Sequence, residues 1–161
     1  MICYLGCASL SHFISGFVEL QPPEFTAEPP KPITVVEGNN LSLEWRYDLG
    51  VGGSIRRIDF HETSSSPSVL ILEVSSVGHY PVNQTPDVLV DSYNGRLQAN
   101  VTETQTSITI LGANRTVDSK EYQLDVNPVG SSRISSAVTV LVQCKYKSTS
   151  VSIFQYYVMC N

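Results

Sequence analysis

The sequence predicts an all-β protein, a sandwich of two antiparallel sheets. Three observations carry this reading. Apolar and polar residues alternate with a period of two in several short segments, as on strands with one buried face. Gly, Asn, Ser and Pro fall between those segments, where turns belong. No window of about eleven residues carries an apolar stripe at helical spacing. Serine and threonine supply about a fifth of the chain, which suits many short strands joined by polar turns.

The elements follow in order. Residues 1–20 mix apolar and small side chains. Pro22, Pro23, Pro29, Pro30 and Pro32 come next, and proline is confined to edges and strand ends because it has no N–H to donate. This stretch reads as an extended lead-in to an edge strand. Ile33 to Val36 is a short β run ended by Gly38 and Asn39. Leu41, Leu43 and Trp45 alternate with Ser42, Glu44 and Arg46, giving a strand whose Leu–Leu–Trp face points inward. A loop with Gly50, Gly52 and Gly53 follows. Ile58 and Phe60 share one face of the next strand, opposite Asp59 and His61. Val69 to Val74 is an apolar run. Leu97, Ala99 and Val101 alternate again, as do Ile108 and Ile110, then Tyr122, Leu124 and Val126. Ala137 to Val142 is the last segment. The expected total is about eight or nine strands.

The 161 residues suffice for one domain and rarely for two. Charged residues make up 16 % and the net charge is −5, which excludes a highly charged disordered chain and the basic footprint of a nucleic-acid binder. No run of about 18 apolar residues reads as a membrane span. Cys3, Cys7, Cys144 and Cys160 lie near the two ends, so the body between Cys7 and Cys144 has no disulfide staple. All four read as belonging to flanks outside the folded unit, with a bridge between the two flanks as the alternative. The expected organisation is a flank over 1–23, one domain over 24–143 and a poorly structured tail over 144–161. The first flank is either a signal peptide or a non-native extension. No Lys or Arg precedes Lys31, so the positive start of a signal peptide is missing.

Residues 24–143 carry several fixed offsets. Gly38-Asn-Asn-Leu-Ser-Leu-Glu-Trp45 resembles the Gly-x-x-Val-x-Leu-x-Cys start of strand B in a variable-type immunoglobulin domain. Asp118-Ser-Lys-Glu-Tyr122-Gln-Leu124 resembles the Asp-x-Gly/Ala-x-Tyr-x-Cys motif of strand F, with Lys120 at the small-residue position. Thr106 to Leu111 resembles strand E. The resemblance implies a Greek-key immunoglobulin-like sandwich. It also implies an ion pair between Arg96 and Asp118, and a Tyr122 hydroxyl bonded to backbone at the corner before strand F. Trp45 and Leu124 stand where the family's two bridging cysteines would be. The family's strand C tryptophan is absent, with Ile58 or Phe60 in that region. The core is therefore expected to replace the disulfide with Trp45 against Leu124.

Enzyme signatures are absent from the sequence. His61-Glu62 begins a His-Glu-x-x-His pattern, but Ser65 occupies the second histidine position. The glycines of 50–53 lack the lysine and helix of a phosphate loop. No Gly-x-Ser-x-Gly elbow occurs. No catalytic residue, cofactor or metal ligand is expected. Four sequons do occur, at Asn40, Asn83, Asn100 and Asn114, more than this composition gives by chance.

The immunoglobulin resemblance implies an extracellular or cell-surface recognition or adhesion module, binding another immunoglobulin-like domain or a cell-surface ligand rather than nucleic acid, and the sequons agree with it. The candidate contact residues are Arg56, Arg57, Asp59 and His61, with loops 48–54, 75–87 and 127–133 as further candidates. Two alternatives remain: a structural immunoglobulin module of an intracellular assembly, and a fragment of a larger receptor without independent function.

Overall fold

In the computed structural model, residues 21–75 and 87–145 are described. Among them are ten strands: β1 (Glu24–Ala27), β2 (Ile33–Val36), β3 (Leu41–Asp48), β4 (Ile55–Glu62), β5 (Val69–Ser75), β6 (Asp87–Val88), β7 (Leu97–Val101), β8 (Gln105–Ile110), β9 (Glu121–Pro128) and β10 (Ile134–Gln143). One helical turn, α1 (Arg115–Asp118), sits between β8 and β9. The strands form a four-stranded sheet in the order β1-β3-β8-β7 and a six-stranded sheet in the order β2-β10-β9-β4-β5-β6.

Three details correct the sequence reading. The proline-rich lead-in contains a strand of its own, because Phe25 anchors β1 by meeting Tyr47 edge-on at 6.2 Å, while the later prolines fall beyond it. No hairpin separates β1 from β2, so β2 keeps its direction and pairs in parallel with β10. The six-stranded sheet is therefore mixed, not purely antiparallel. Finally, β6, α1 and a 3₁₀ turn at Asp91–Tyr93 are too short to leave a periodic signal.

The core lies between the two sheets. Alternate residues of β3 are buried along its whole length, placing Leu41, Leu43, Trp45 and Tyr47 inward. Across from them stand Phe60, Leu124, Val126, Val138 and Val140 of the six-stranded sheet. Trp45 and Leu124 are both fully buried. The indole Nε1–H donates to Ser136 Oγ at 3.0 Å. Ser136 is the register partner of Leu124, which is in turn that of Phe60. The Trp45 side chain thus reaches across the sandwich to the row that holds Leu124. Ser136 also bonds Glu28, which pairs with Lys31. Trp45 meets Phe60 edge-on at 6.3 Å, and Phe60 stacks on Tyr122 at 5.2 Å.

The end of the sandwich around α1 is held by polar contacts. Arg96 Nη2 lies 2.6 Å from Asp118 Oδ2, which also accepts from the Asn114 backbone N–H at 2.7 Å. Tyr122 donates to the Asp118 carbonyl at 3.3 Å and shares a 2.9 Å bond with the Tyr93 hydroxyl. Burial pushes the Tyr93 phenol up and the Tyr122 phenol well above its ordinary range. Lys120 Nζ pairs with Glu62 Oε2 at 2.8 Å. Cys144 corrects the reading that all four cysteines lie apart from the folded unit. It directly follows β10, is disulfide-bonded, and its Sγ lies 3.3 Å from Arg115 Nη1 of α1. The other cysteines lie outside the described residues.

Candidate functional site

The outer face of the six-stranded sheet is built from the alternate residues of its central strands. On β4 these are Arg57, Asp59 and His61; on β9 they are Gln123, Asp125 and Asn127. Register places Asp59 directly between Asp125 of β9 and Glu73 of β5, and Glu73 beside Asp87 of β6. Four acidic positions therefore occupy one row across four strands. Like charges placed directly opposite on neighbouring strands repel.

The neighbouring row supplies partial compensation. Arg57 Nε and Nη2 each lie 2.9 Å from Asp59 Oδ2, and Asn127 Nδ2 donates to the same oxygen at 3.1 Å. Asp125 Oδ1 accepts from Gln123 at 2.7 Å, and its Oδ2 accepts from Arg133 at 3.3 Å. His61 Nε2 lies 3.4 Å from Asp125 Oδ2 but is not aligned to hydrogen-bond it. Among the described residues no donor reaches the buried Asp59 Oδ1.

The four residues proposed from the sequence as a contact face are therefore not equivalent. Arg56 and Arg57 are exposed, but Asp59 is only 3 % exposed and His61 is half-buried. The correction has a simple cause. β4 is a central strand flanked by β5 and β9, and the long side chains of the adjacent row close over the short aspartate. Sequence reasoning missed Glu73 and Asp125, and marked Asn127 and Arg133 only as the ends of a candidate loop. The alternation Gln123-x-Asp125-x-Asn127 was the available signal, hidden by attention to Leu124 and Val126 between them.

The loops 48–54 and 127–133 meet at one end of the sandwich, where Val129 N donates to Ser54 O at 2.8 Å. Gly53 is needed there, since a Cβ at that position would lie 2.6 Å from the Cβ of Leu49. Val51 and Val129 are exposed on these loops. Loop 75–87 lies largely outside the described residues, as does Asn83. Asn40 and Asn114 sit at the opposite end of the sandwich, and Asn100 lies on the four-stranded sheet. Among the described residues no three His, Cys, Asp or Glu side chains are arranged to hold a metal ion, and no helix is long and apolar enough to cross a membrane.

No protein-family model matches the chain, and no curated protein matches it in sequence. Solved structures do match its shape. Murine CRIg superposes with a TM-score of 0.63 at 17 % identity, covering 76 % of this chain and 99 % of that one. A structure of Dpr1 IG1 bound to DIP-eta IG1 gives 0.52 at 14 % identity, covering 75 % and 95 %. A titin tandem of Ig domains gives 0.52 at 13 % identity, covering 78 % and 51 %.

Proposed function

We propose that this V-set-like immunoglobulin fold is an extracellular recognition or adhesion module, and that a protein partner docks on the outer face of its six-stranded sheet. The acidic row carries the proposal. A sheet stabilised only for itself gains nothing by aligning Glu73, Asp59 and Asp125, or by burying a carboxylate oxygen without a donor. Such groups suit a surface whose remaining donors come from another molecule. The partner chemistry that fits is a basic or amide-bearing face, such as that of another immunoglobulin-like domain. The structure in which Dpr1 IG1 is bound to DIP-eta IG1 supports the plausibility of that pairing for a fold of this shape.

One competing reading has its own observation. The body lacks the inter-sheet disulfide, and a titin Ig tandem shares the fold, which favours a structural module inside the cell. The test displays the full chain on non-adhesive cells and challenges it with itself and with a panel of secreted immunoglobulin-like ectodomains. The proposal expects a binder whose binding is abolished by Glu73→Lys with Gln123→Lys, two part-exposed positions on the outer face, because these turn it basic. Binding that survives this pair, or no binding by any of them, refutes the proposed face.

A further inference from the structure

Three of the sequons lie off the acidic row, two at the α1 end of the sandwich and one on the outer face of the four-stranded sheet. Asn100 points outward from β7, an edge strand of the four-stranded sheet, in register with Ser107 of β8. Asn40 immediately precedes β3, and its Oδ1 accepts the Gly112 N–H at 3.1 Å. Asn114 caps α1, its Oδ1 accepting the Thr116 N–H at 2.9 Å and the Thr116 hydroxyl at 2.7 Å. All three asparagines are exposed. Gly112 stands two residues before Asn114, so Asn40 and Asn114 share one end of the sandwich. The eight residues of β3 separate that end from loop 48–54 by about 25–30 Å.

The hydrogen bonds settle which atom is free for modification. In Asn40 and Asn114 the carbonyl oxygen holds backbone, and N-glycosylation takes place on the amide nitrogen. A glycosylated asparagine keeps its Oδ1 acceptor, so neither the α1 cap nor the Gly112 contact is lost. No described residue of the six-stranded sheet's outer face belongs to a sequon. Asn127, which does lie there, is followed by Pro128 and Val129.

We propose that Asn40, Asn100 and Asn114 carry N-linked glycans that sheathe the four-stranded sheet and the α1 end, leaving the six-stranded face bare for its partner. This rests on the extracellular reading above. The test expresses the full chain behind an added secretion signal in animal cells. Amide-cleaving deglycosylation leaves an aspartate at each occupied asparagine, and peptide mass spectrometry locates it. All three positions are expected to be occupied. Asn40→Asp, Asn100→Gln and Asn114→Asp should each remove one glycan step, and the two aspartates preserve the Oδ acceptors so that loss of fold does not confound the result. An unoccupied asparagine at any of the three in folded, secreted protein overturns the arrangement. Full occupancy of all three sites, together with no binding partner in the display assay above, refutes the recognition reading while leaving the sites themselves intact.

Discussion

The hydrogen bond between Trp45 and Ser136 should behave as a coupled pair. Trp45 is fully buried, and its indole N–H has Ser136 Oγ at 3.0 Å as acceptor. Ser136→Ala strands that donor in the core, which costs about 1–3 kcal/mol. Trp45→Phe removes the donor instead. It costs about 1 kcal/mol for the bond and a further ~1–2 kcal/mol for the space the smaller ring leaves. In the Trp45→Phe background no buried N–H remains, so Ser136→Ala should then cost only its bond to Glu28, about 0.5–1 kcal/mol, a loss common to both backgrounds. The coupling energy is the difference, about 1–2 kcal/mol.

Urea denaturation followed by far-UV circular dichroism reads all four proteins. With a slope of about 1–3 kcal/mol/M, a 2 kcal/mol loss moves the midpoint by about 1 M. Trp45 is the chain's one tryptophan, so in the parent and in Ser136→Ala its fluorescence reports the same transition independently. Equal costs for Ser136→Ala in both backgrounds would falsify the coupling and with it the claim that Ser136 serves the indole. The effect matters because no bridge closes the loop of about 80 residues between positions 45 and 124. Such a bridge would contribute about 4–5 kcal/mol, against a total stability of about 5–15 kcal/mol for a typical domain.

Glu73→Gln removes one charge from the middle of the acidic row and should raise stability by roughly 0.2–1 kcal/mol; a lowered urea midpoint would count against repulsion in that row. Burial pushes the Tyr47 phenol up from 10.0 to about 12, with Tyr93 and Tyr122 also raised. Because the neutral phenols favour the folded state, this contribution is complete below about pH 10 and is lost as pH rises toward 12 and beyond. Three of the chain's eight tyrosines should therefore ionise only together with unfolding, and all eight titrating near pH 10 in folded protein would contradict it. Trp45→Cys with Leu124→Cys should form a disulfide under oxidising conditions, since both side chains enter the same inner layer. Free thiols at both positions in folded protein would show that the two strands do not face each other there.

Much of the fold was legible because the strands that build the core have one wet face. β3 alternates along all eight residues, and β10 alternates along most of its length. The missed pieces carry no such signal. β1 is masked by the prolines around it, and the two residues of β6 cannot show a period. The site was less legible for a different reason. Arg57, Asp59 and His61 fall on one face by alternation alone, but their burial depends on what β5 and β9 bring alongside. Glu73 sits within an apolar run, and Asp125 sits between Leu124 and Val126, so neither stood out along the chain. Only the cross-strand register makes them neighbours of Asp59.

The two outer faces of the sandwich obey the same alternation yet differ in chemistry. On the four-stranded sheet, Asn100, Ser107 and Glu44 share one row, and Ser42 meets Thr109 through a 3.1 Å hydroxyl contact. Those short polar groups are content in water and make few demands on one another. On the six-stranded sheet, carboxylates stand opposite carboxylates, and Asp59 is closed in beneath Arg57 and Asn127. Nothing in the stability of a β-sandwich calls for this difference, since either face could be covered by small hydroxyls. A partner that supplied a donor to Asp59 Oδ1 and a counter-charge to Glu73 would have to displace or join the Arg57 side chain. Arg57 is half-exposed but held by two 2.9 Å contacts to Asp59 Oδ2, so the partner would have to replace that pairing. The electrostatic strain that weakens the isolated sheet would then be relieved on binding, which ties recognition to a face where the fold has left polar groups incompletely satisfied.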